Sequence, residues 1–249
     1  MRLKSLIAAC GIVAIIIGCG GGGSTREVIE ETHPSGATKK VNVYAGKNVI
    51  RTTFFFEDGN MQSDRFFKNG EPDSMMTIFF PGGAIDKQTM FVDGKKHGPE
   101  KSWFANGNIK SEGEFIEDKP VGRHATYFEG GQVEQEVTFV DGKRNGEETL
   151  YFADGTKRRV RNFTDGNQEG VEQEFYPTGV LKLEQNWANN ALNGPFTMYH
   201  PNGRPEETGK YVNGQYDGDR LMYNPQGKRT AIATYEKGVR TDGTSFAND

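Results

Sequence analysis

The side chains most capable of chemistry in this sequence are carboxylates that recur at a fixed spacing. One set of them, which we call the acidic row, occupies the same place in a pattern that repeats every 24 residues: Asp64, Glu112, Glu136 and Glu184. Two carboxyl groups about 5 to 10 Å apart in a cleft can hydrolyse a glycosidic bond. Regularly spaced charge is also typical of the solvated face of a sheet, where it discourages aggregation. We favour the solvated face and keep a carbohydrate-active enzyme as the weaker alternative.

Histidine and cysteine do not form a recognisable metal or nucleophile motif. The histidines are His33, His97, His124 and His200, which fall at different places in the repeating pattern. A zinc site needs ligands that converge, and the two cysteines, Cys10 and Cys19, both lie near the N-terminus. Phosphate-binding loops and nucleophile elbows do not occur in the sequence. We therefore predict no catalytic residue, no metal site and no cofactor, and we expect a protein that is not an enzyme.

The repeating pattern consists of eight units in register between residues 55 and 238. Each unit opens with a residue that we call the leading aromatic: Phe55, Phe79, Trp103, Tyr127, Tyr151, Phe175, Tyr199 and Tyr223. Four residues later comes a glycine: Gly59, Gly83, Gly107, Gly131, Gly155, Gly179, Gly203 and Gly227. The thirteenth residue of each unit is the mid-unit aromatic: Phe67, Phe91, Phe115, Phe139, Phe163, Trp187, Tyr211 and Tyr235. Three such columns indicate a repeat protein whose units stack on their neighbours.

Two turns are predicted in every unit. The first turn is of the type Asn106-Gly107, and the second runs from a site such as Asp141-Gly142 to a further glycine such as Gly146. These dipeptides are strong hairpin signals because glycine adopts positive φ without steric cost. The aromatic and β-branched residues between the turns favour strands. We therefore predict an all-β fold, an elongated antiparallel meander of stacked β-hairpins with about two strands per unit.

A right-handed parallel β-helix, whose coils have a similar length, is the rival architecture. Two glycine-marked turns per unit favour hairpins over such coils. The composition fits a repeat array, because only 34% of the residues are hydrophobic and 33 are glycine. Such a chain stabilises itself by stacking aromatic residues between adjacent units, without one large central core.

The N-terminus has the pattern of an export signal. Residues 1–18 begin with positive charge and continue with an apolar run shorter than the roughly 20 residues of a membrane-spanning helix. The end of this segment, Ile16-Ile17-Gly18-Cys19, resembles the bacterial lipobox, which implies cleavage and lipidation at Cys19. A free or disulfide-forming Cys19 is the alternative, but loss of Cys10 with the signal would leave it no intramolecular partner.

The remaining chain divides into four further segments. Residues 19–32 comprise the lipidated cysteine and a flexible glycine-rich tether. Residues 33–54 form a degenerate N-terminal repeat of the kind that caps a stack. Residues 55–238 hold the eight repeats, the last of them truncated, and residues 239–249 form a C-terminal cap or tail.

The landmarks of the unit, aromatic-aromatic-x-x-Gly followed by aromatic-x-x-Gly-x-x-x-Gly, resemble the MORN repeat and, more closely, its bacterial variant. The resemblance covers residues 55–238 well and residues 33–54 poorly. It weakens at Ser74, where the last glycine is missing, and at His200 and Asn224, where the second aromatic is lost. It implies an array of β-hairpins used for scaffolding, membrane association or partner binding. Some bacterial proteins with these repeats are catalogued as antitoxins of the YwqK type.

The residue after the leading aromatic offers a possible binding face. This second-position row consists of Phe56, Phe80, Phe104, Phe128, Phe152 and Tyr176. Because side chains alternate along a strand, we expect this row to face away from the leading aromatics. An exposed row of aromatics could stack on sugars or accept an apolar partner surface, whereas sheet curvature and long charged side chains could bury it. We favour burial and keep the binding face as the hypothesis to test.

Charge argues against a nucleic-acid partner. The net charge is -4, and removal of Arg2 and Lys4 with the signal would make it -6, whereas phosphate-binding proteins are usually basic. The basic cluster at 157–161 is interpreted as a solvated strand face. We predict an exported lipoprotein, anchored in the outer membrane of a bacterial cell envelope, that binds a protein or an envelope glycan. An antitoxin or immunity protein is the alternative, and no oligomeric state is predicted.

Overall fold

The computed structural model of the chain describes Ala14, Ile15 and residues 24–245. These described residues form strands, turns and loops and contain no helix. The strands are β1 (Ala14–Ile15), β2 (Thr25–Thr32), β3 (Thr38–Ala45), β4 (Asn48–Phe55), β5 (Met61–Lys68), β6 (Glu71–Pro72), β7 (Ser74–Phe79), β8 (Ile85–Val92), β9 (Lys95–Trp103), β10 (Ile109–Ile116), β11 (Lys119–Tyr127), β12 (Val133–Val140), β13 (Lys143–Tyr151), β14 (Lys157–Thr164), β15 (Asn167–Gln168), β16 (Gly170–Phe175), β17 (Leu181–Ala188), β18 (Ala191–Tyr199), β19 (Pro205–Val212), β20 (Gln215–Tyr216), β21 (Gly218–Tyr223), β22 (Arg229–Glu236) and β23 (Val239–Ser245).

The chain divides into two compact bodies. The N-terminal body contains the residues up to 107 together with 115–118, and the C-terminal body contains 108–114 and the residues from 119 onward. In the N-terminal body, strands β2 to β9 pair antiparallel with their neighbours along the chain, with β6 as a short addition to β5. In the C-terminal body, strands β11 to β23 do the same. The predicted all-β hairpin meander is therefore confirmed. The parallel β-helix is wrong for the described residues, because these pairings are all antiparallel.

The N-terminal segments differ in part from the prediction. Thr25–Thr32, assigned to the tether, forms β2 and pairs with β3. Its polar composition disguised it, because a strand held by backbone hydrogen bonds needs few apolar side chains. Ala14 and Ile15, inside the predicted signal peptide, pair antiparallel with β2. The predicted lipidation site Cys19 lies outside the described residues.

In seven of the eight units, all except the one that starts at Trp103, two backbone hydrogen bonds that close the first turn are described. In the unit that starts at Tyr151, the Phe152 N–H donates to the Thr156 carbonyl at 2.8 Å, and the Gly155 N–H donates to the Phe152 carbonyl at 2.9 Å. Gly155 has φ +87°, and a Cβ there would meet nothing within 4 Å. Glycine is therefore needed at this position for its backbone conformation, not for space.

The second turn is a two-residue hairpin turn with positive φ at both residues. Asp141 has φ +48° and Gly142 has φ +81°, which is the type I′ geometry that matches the twist of the flanking strands. The N–H of its second residue also reaches the preceding unit, where it donates to a backbone carbonyl. These bonds are Gly94 to Pro72, Asp118 to Lys96, Gly142 to Pro120, Gly166 to Arg144, Asn190 to Gln168, Gly214 to Leu192 and Gly238 to Tyr216, at 2.8 to 3.2 Å. Each of the eight units except the last is thus joined to the next by the same backbone hydrogen bond, which starts from the second turn of the later unit.

The later glycine of a unit, such as Gly146, was predicted to end the second turn. In the structure it lies in a strand instead. Gly146 lies in β13 with φ +92°, where the register with β12 shifts. It sits opposite the mid-unit aromatic of the next unit, Phe163. The same pairing joins Gly122 to Phe139, Gly170 to Trp187, Gly194 to Tyr211 and Gly218 to Tyr235. A residue without a side chain at a bulge leaves room for a ring on the facing strand.

The core of the sheet is narrow and partly charged. Its buried apolar residues include Val137, Val160, Phe163 and Phe196, but Glu148 is 0% exposed and Glu172 is 4% exposed. Glu148 pairs with Arg144 and Arg161 and accepts a 2.8 Å hydrogen bond from Gln135 Nε2. Buried carboxylates are tolerated only when cations and donors surround them in this way.

Glu172 is satisfied by a different set of partners. Trp187 Nε1 donates to it at 2.6 Å and Gln185 Nε2 at 3.0 Å, while Arg159 Nε lies 3.4 Å away. Glu100 occupies the same place in its unit, between Lys87 at 3.1 Å and Lys96 at 2.7 Å. These carboxylates therefore hold neighbouring strands of the sheet together through ion pairs and hydrogen bonds.

Ser74→Gly is expected to stabilise the protein by about 1 kcal/mol, because a non-glycine residue with positive φ is strained. Ser74 replaces the bulge glycine of its unit and has φ +71° opposite Phe91. The measurement is the midpoint of chemical unfolding.

Two reverse substitutions serve as controls. Gly146→Ser introduces the same strain at the equivalent place, and Gly155→Val introduces it in a first turn. Both should destabilise the protein by more than about 1 kcal/mol. An unchanged midpoint for either variant would contradict the assigned backbone conformation.

Glu100→Gln is expected to destabilise the protein by about 1 kcal/mol at neutral pH, because Lys87 and Lys96 lose their shared partner. Burial opposes ionisation of Glu100, but hydrogen bonds from Lys96, Lys87 and Thr89 outweigh it and lower its pKa below 4.5. A carboxylate with a lowered folded pKa contributes stability above its unfolded pKa and loses it as the pH falls through the folded pKa.

The stability difference between wild type and Glu100→Gln should therefore shrink as the pH falls below about 4.5. Thermal unfolding of both proteins at neutral pH and at acid pH measures this. A gap that persists undiminished at acid pH would show that the carboxylate charge does not carry the effect.

Candidate functional site

The carboxylates of the acidic row are held by ion pairs or by hydrogen bonds. Asp64 accepts two hydrogen bonds from Arg51, at 2.7 and 2.9 Å, and one from Thr53 at 3.0 Å. This hydrogen bonding raises the pKa of Arg51, with burial as the opposing effect. Glu184 accepts a 2.8 Å hydrogen bond from Gln173.

Glu112 and Glu136 share one arginine in the C-terminal body. Arg123 pairs with Glu112 at 3.2 Å and forms a short ion pair with Glu136. Tyr127 Oη donates to Glu112 at 2.6 Å. The pKa of Tyr127 is raised by burial and then by its bond to Glu112, and the pKa of Arg123 is raised by its bond to Glu136. Both carboxylates are therefore part of a network of charged side chains on neighbouring strands.

The histidines that have partners bind backbone carbonyls. His33 Nε2 lies 3.0 Å from the Phe55 oxygen, His124 Nε2 2.9 Å from the Glu114 oxygen, and His200 Nε2 2.9 Å from the Tyr223 oxygen. Among residues 24–245, no group of three or more histidine, cysteine, aspartate or glutamate side chains is arranged to hold a metal ion. His33 and His200 thus contact the unit that follows, whereas the contact of His124 lies within one unit.

The second-position row lies in the turns and not on a strand face. Each member follows the last residue of a strand and opens a first turn, as Phe128 and Phe152 do. All six side chains are half-buried. The alternation argument did not apply because the strand ends at the leading aromatic. Whether the row binds a partner stays a prediction.

Polar side chains at the second position of a unit join its first turn to the first turn of the next unit. Tyr176 Oη donates to the Tyr199 carbonyl at 2.8 Å, and His200 makes the equivalent contact to Tyr223. Asn202 Nδ2 donates to the Pro225 carbonyl at 2.7 Å. Burial raises the pKa of Tyr176, and the charge of Glu206 adds to the effect. This edge of the C-terminal body is therefore built by side chains that reach the next turn.

A cleft of about 410 Å³ opens beside this edge in the C-terminal body. It is lined by Phe152, Arg158, Arg159, Glu174, Phe175, Tyr176, Pro177 and Lys182. A smaller cleft of about 280 Å³ in the N-terminal body is lined by Phe54, Gln62, Ser63, Arg65 and Ile78. The first cleft thus brings two members of the second-position row together with three cations.

The basic cluster at 157–161 is divided between the cleft and the core. Arg161 pairs with buried Glu148, and Arg159 pairs with Glu172 and Glu174. Arg158 is exposed and lines the cleft. This cleft was not predicted from the sequence, although the spacing of Arg158 and Lys182 by one repeat of 24 residues was a usable signal.

Among the described residues, no helix is long and apolar enough to cross a membrane. No curated protein sequence matches the chain.

Several solved structures resemble the chain weakly. A structure described as TcdB2-TccC3-TEV is 12% identical, with 91% of this chain and 14% of that chain covered and a TM-score of 0.22. The Photorhabdus luminescens Tc holotoxin pore is 11% identical, with 84% and 14% covered and a TM-score of 0.22. A porin-like protein from Bacteroides uniformis is 9% identical, with 89% and 92% covered and a TM-score of 0.21. Scores this low do not support a conclusion about fold or function.

A family model supplies the informative match. Residues 96–117, 120–141, 168–189 and 192–213 match the MORN repeat variant. The three segments in the C-terminal body are the hairpins β11–β12, β16–β17 and β18–β19, each centred on a first turn. Such repeats indicate a repeat-based binding scaffold. Four segments between residues 96 and 213 therefore match repeats of the MORN variant family.

Proposed function

We propose that this protein is a non-enzymatic lipoprotein of the bacterial cell envelope whose hairpin repeats bind a protein or a glycan. The observation that supports a binding scaffold is that the backbone of the first turns is constant while their side chains vary. The first turns that start at these places have the same two hydrogen bonds, while the second-position residue changes from Phe152 to Tyr176, His200 and Asn224. A regular frame that presents different side chains suits recognition of an extended partner.

The membrane anchor is supported by the sequence of the N-terminus. A short apolar segment ends at Gly18-Cys19 and is followed by four glycines and a serine. A lipid on Cys19 would hold the protein at a membrane, and the glycines would give the repeats reach. Gly20, in place of an aspartate after the cysteine, fits retention in the outer membrane.

Cys19→Ser is expected to abolish incorporation of a fatty-acid label and to release the protein from the membrane fraction, because the acylated thiol is lost. Cys10→Ser is the matched control and should leave labelling and fractionation unchanged. The measurement is labelling with an alkyne fatty acid in a Gram-negative host, followed by fractionation. Continued labelling of Cys19→Ser would contradict the proposed anchor.

A photoreactive p-benzoylphenylalanine in place of Phe128 is expected to cross-link to an envelope protein or polysaccharide, because this side chain is half-buried at the turn edge. The same substitution at Phe163, which is 6% exposed, is the matched control. Mass spectrometry of the adducts from intact cells identifies the partner. Equal cross-linking from both positions, or none from Phe128, would count against a binding role for the second-position row.

A further inference from the structure

Strand bulges place one residue beside the first turn in seven of the eight units. In the pairing of β13 with β14, Leu150 faces Arg159 and Tyr151 faces Lys157, so Arg158 has no residue opposite it. The same shift occurs at the equivalent place of other units and leaves out Gln62, Asp86, Glu134, Lys182, Glu206 and Thr230. Bulges re-aim side chains and are frequent beside functional sites. We call these residues the bulge residues.

Arg158 and Lys182 are cationic bulge residues in consecutive units. The bulge residues of the flanking units, Glu134 and Glu206, are both acidic. Because the backbone is the same in these units, the difference lies in the side chains alone. This place in the C-terminal body therefore differs from its neighbours in charge.

The cleft between these two units is positively charged although the chain is acidic. Its lining contains three cations and one carboxylate, which give a formal charge of +2. The charge is still +1 when Glu172, which is buried and pairs with Arg159, is counted as well. The whole chain, in contrast, has a net charge of -4. Arg159 pairs with Glu174, and Lys182 lies 3.7 Å from the same carboxylate. Arg158 is exposed at the cleft without an ion pair among the described residues, so its guanidinium is available to an anion.

The aromatic walls of the cleft are held in place. The Phe152 and Tyr176 backbones are each fixed by two turn hydrogen bonds, and Tyr176 Oη is fixed on the Tyr199 carbonyl. Walls that are ordered before binding lower the entropic cost of binding. Flat aromatic faces suit the apolar face of a sugar ring, and a cleft of about 410 Å³ is of the size that holds small ligands.

We propose that the cleft between Phe152 and Tyr176 binds acidic sugar residues of a polysaccharide, with Arg158 and Lys182 on the acid group. This inference rests on the proposed function and names its ligand class. A neutral sugar would leave Arg158 unused, and a free phosphate would leave both aromatic walls unused. Arginine binds planar carboxylates in a bidentate manner, and Glu174 can accept a sugar hydroxyl.

The test is calorimetric titration of the purified full chain in detergent with trigalacturonate and with a chondroitin sulfate tetrasaccharide. Trigalacturonate methyl ester, maltotriose and inorganic phosphate are the comparison ligands. We expect at least one acidic oligosaccharide to bind with a Kd on the order of 100 µM, with affinity that falls as salt rises. The neutral sugars and phosphate should bind at least tenfold more weakly. Equal binding of a neutral sugar or of phosphate, or no binding of either acidic oligosaccharide, would overturn the proposal.

Three variants locate the site. Arg158→Glu should weaken binding of the acidic oligosaccharide at least tenfold, and Phe152→Leu should weaken it while the melting temperature confirms folding. Lys157→Glu makes the same charge change at the adjacent residue outside the cleft and should leave binding within about twofold of wild type. Equal losses in Arg158→Glu and Lys157→Glu would show a general charge effect. Envelope cross-links from position 128 that persist while all oligosaccharides fail would reject this site and leave the binding scaffold intact.

Discussion

The hydrogen bond from each second turn to the preceding unit is the interaction on which the rest of the structure depends. The donor is the N–H of a residue such as Gly142, and its acceptor is the carbonyl of Pro120, one unit earlier. The donor residue has positive φ, which glycine, asparagine and aspartate tolerate best. This explains why Asp118 and Asn190 can replace glycine at this place: both keep φ above +60° and both keep the bond. The turn chemistry therefore fixes the spacing of the units.

The charged core follows from the thinness of the sheet. A repeat of two short strands buries few apolar residues, so buried positions such as Glu148 and Glu172 are occupied by acids that neighbouring strands neutralise. Such pairs add little net stability compared with apolar packing. They do specify neighbours, because Glu148 finds Arg161 and Gln135 only when β12, β13 and β14 pair in this order. A chain of similar repeats needs this specificity to avoid pairing strands from the wrong units.

The regular frame leaves particular places free to vary. The leading aromatics, the turn residues and the glycines that face the mid-unit aromatics are constrained by backbone conformation or by packing, whereas the bulge residues vary between units that keep the same pairing. The bulge residue changes from Glu134 to Arg158 and Lys182 and back to Glu206 without a change in pairing. A binding site can therefore arise in such a repeat by substitution at two or three surface places while the strand pairing stays the same.

The sequence by itself determined the period, the two strands per unit and the first-turn glycines, because these depend on local backbone preferences that recur in every unit. It also predicted the MORN resemblance and supplied the only basis for an anchor at Cys19. It misassigned Gly146 to a turn and Phe152 to a strand face, because the exact end of a strand is set by pairing with its neighbour. It read β2 as a tether, because backbone pairing does not require an apolar pattern. Only the tertiary structure brought Phe152, Arg158, Tyr176 and Lys182 around one cleft. Their meeting depends on the register between strands and on two bulges, and long-range register is not encoded in any short stretch of sequence.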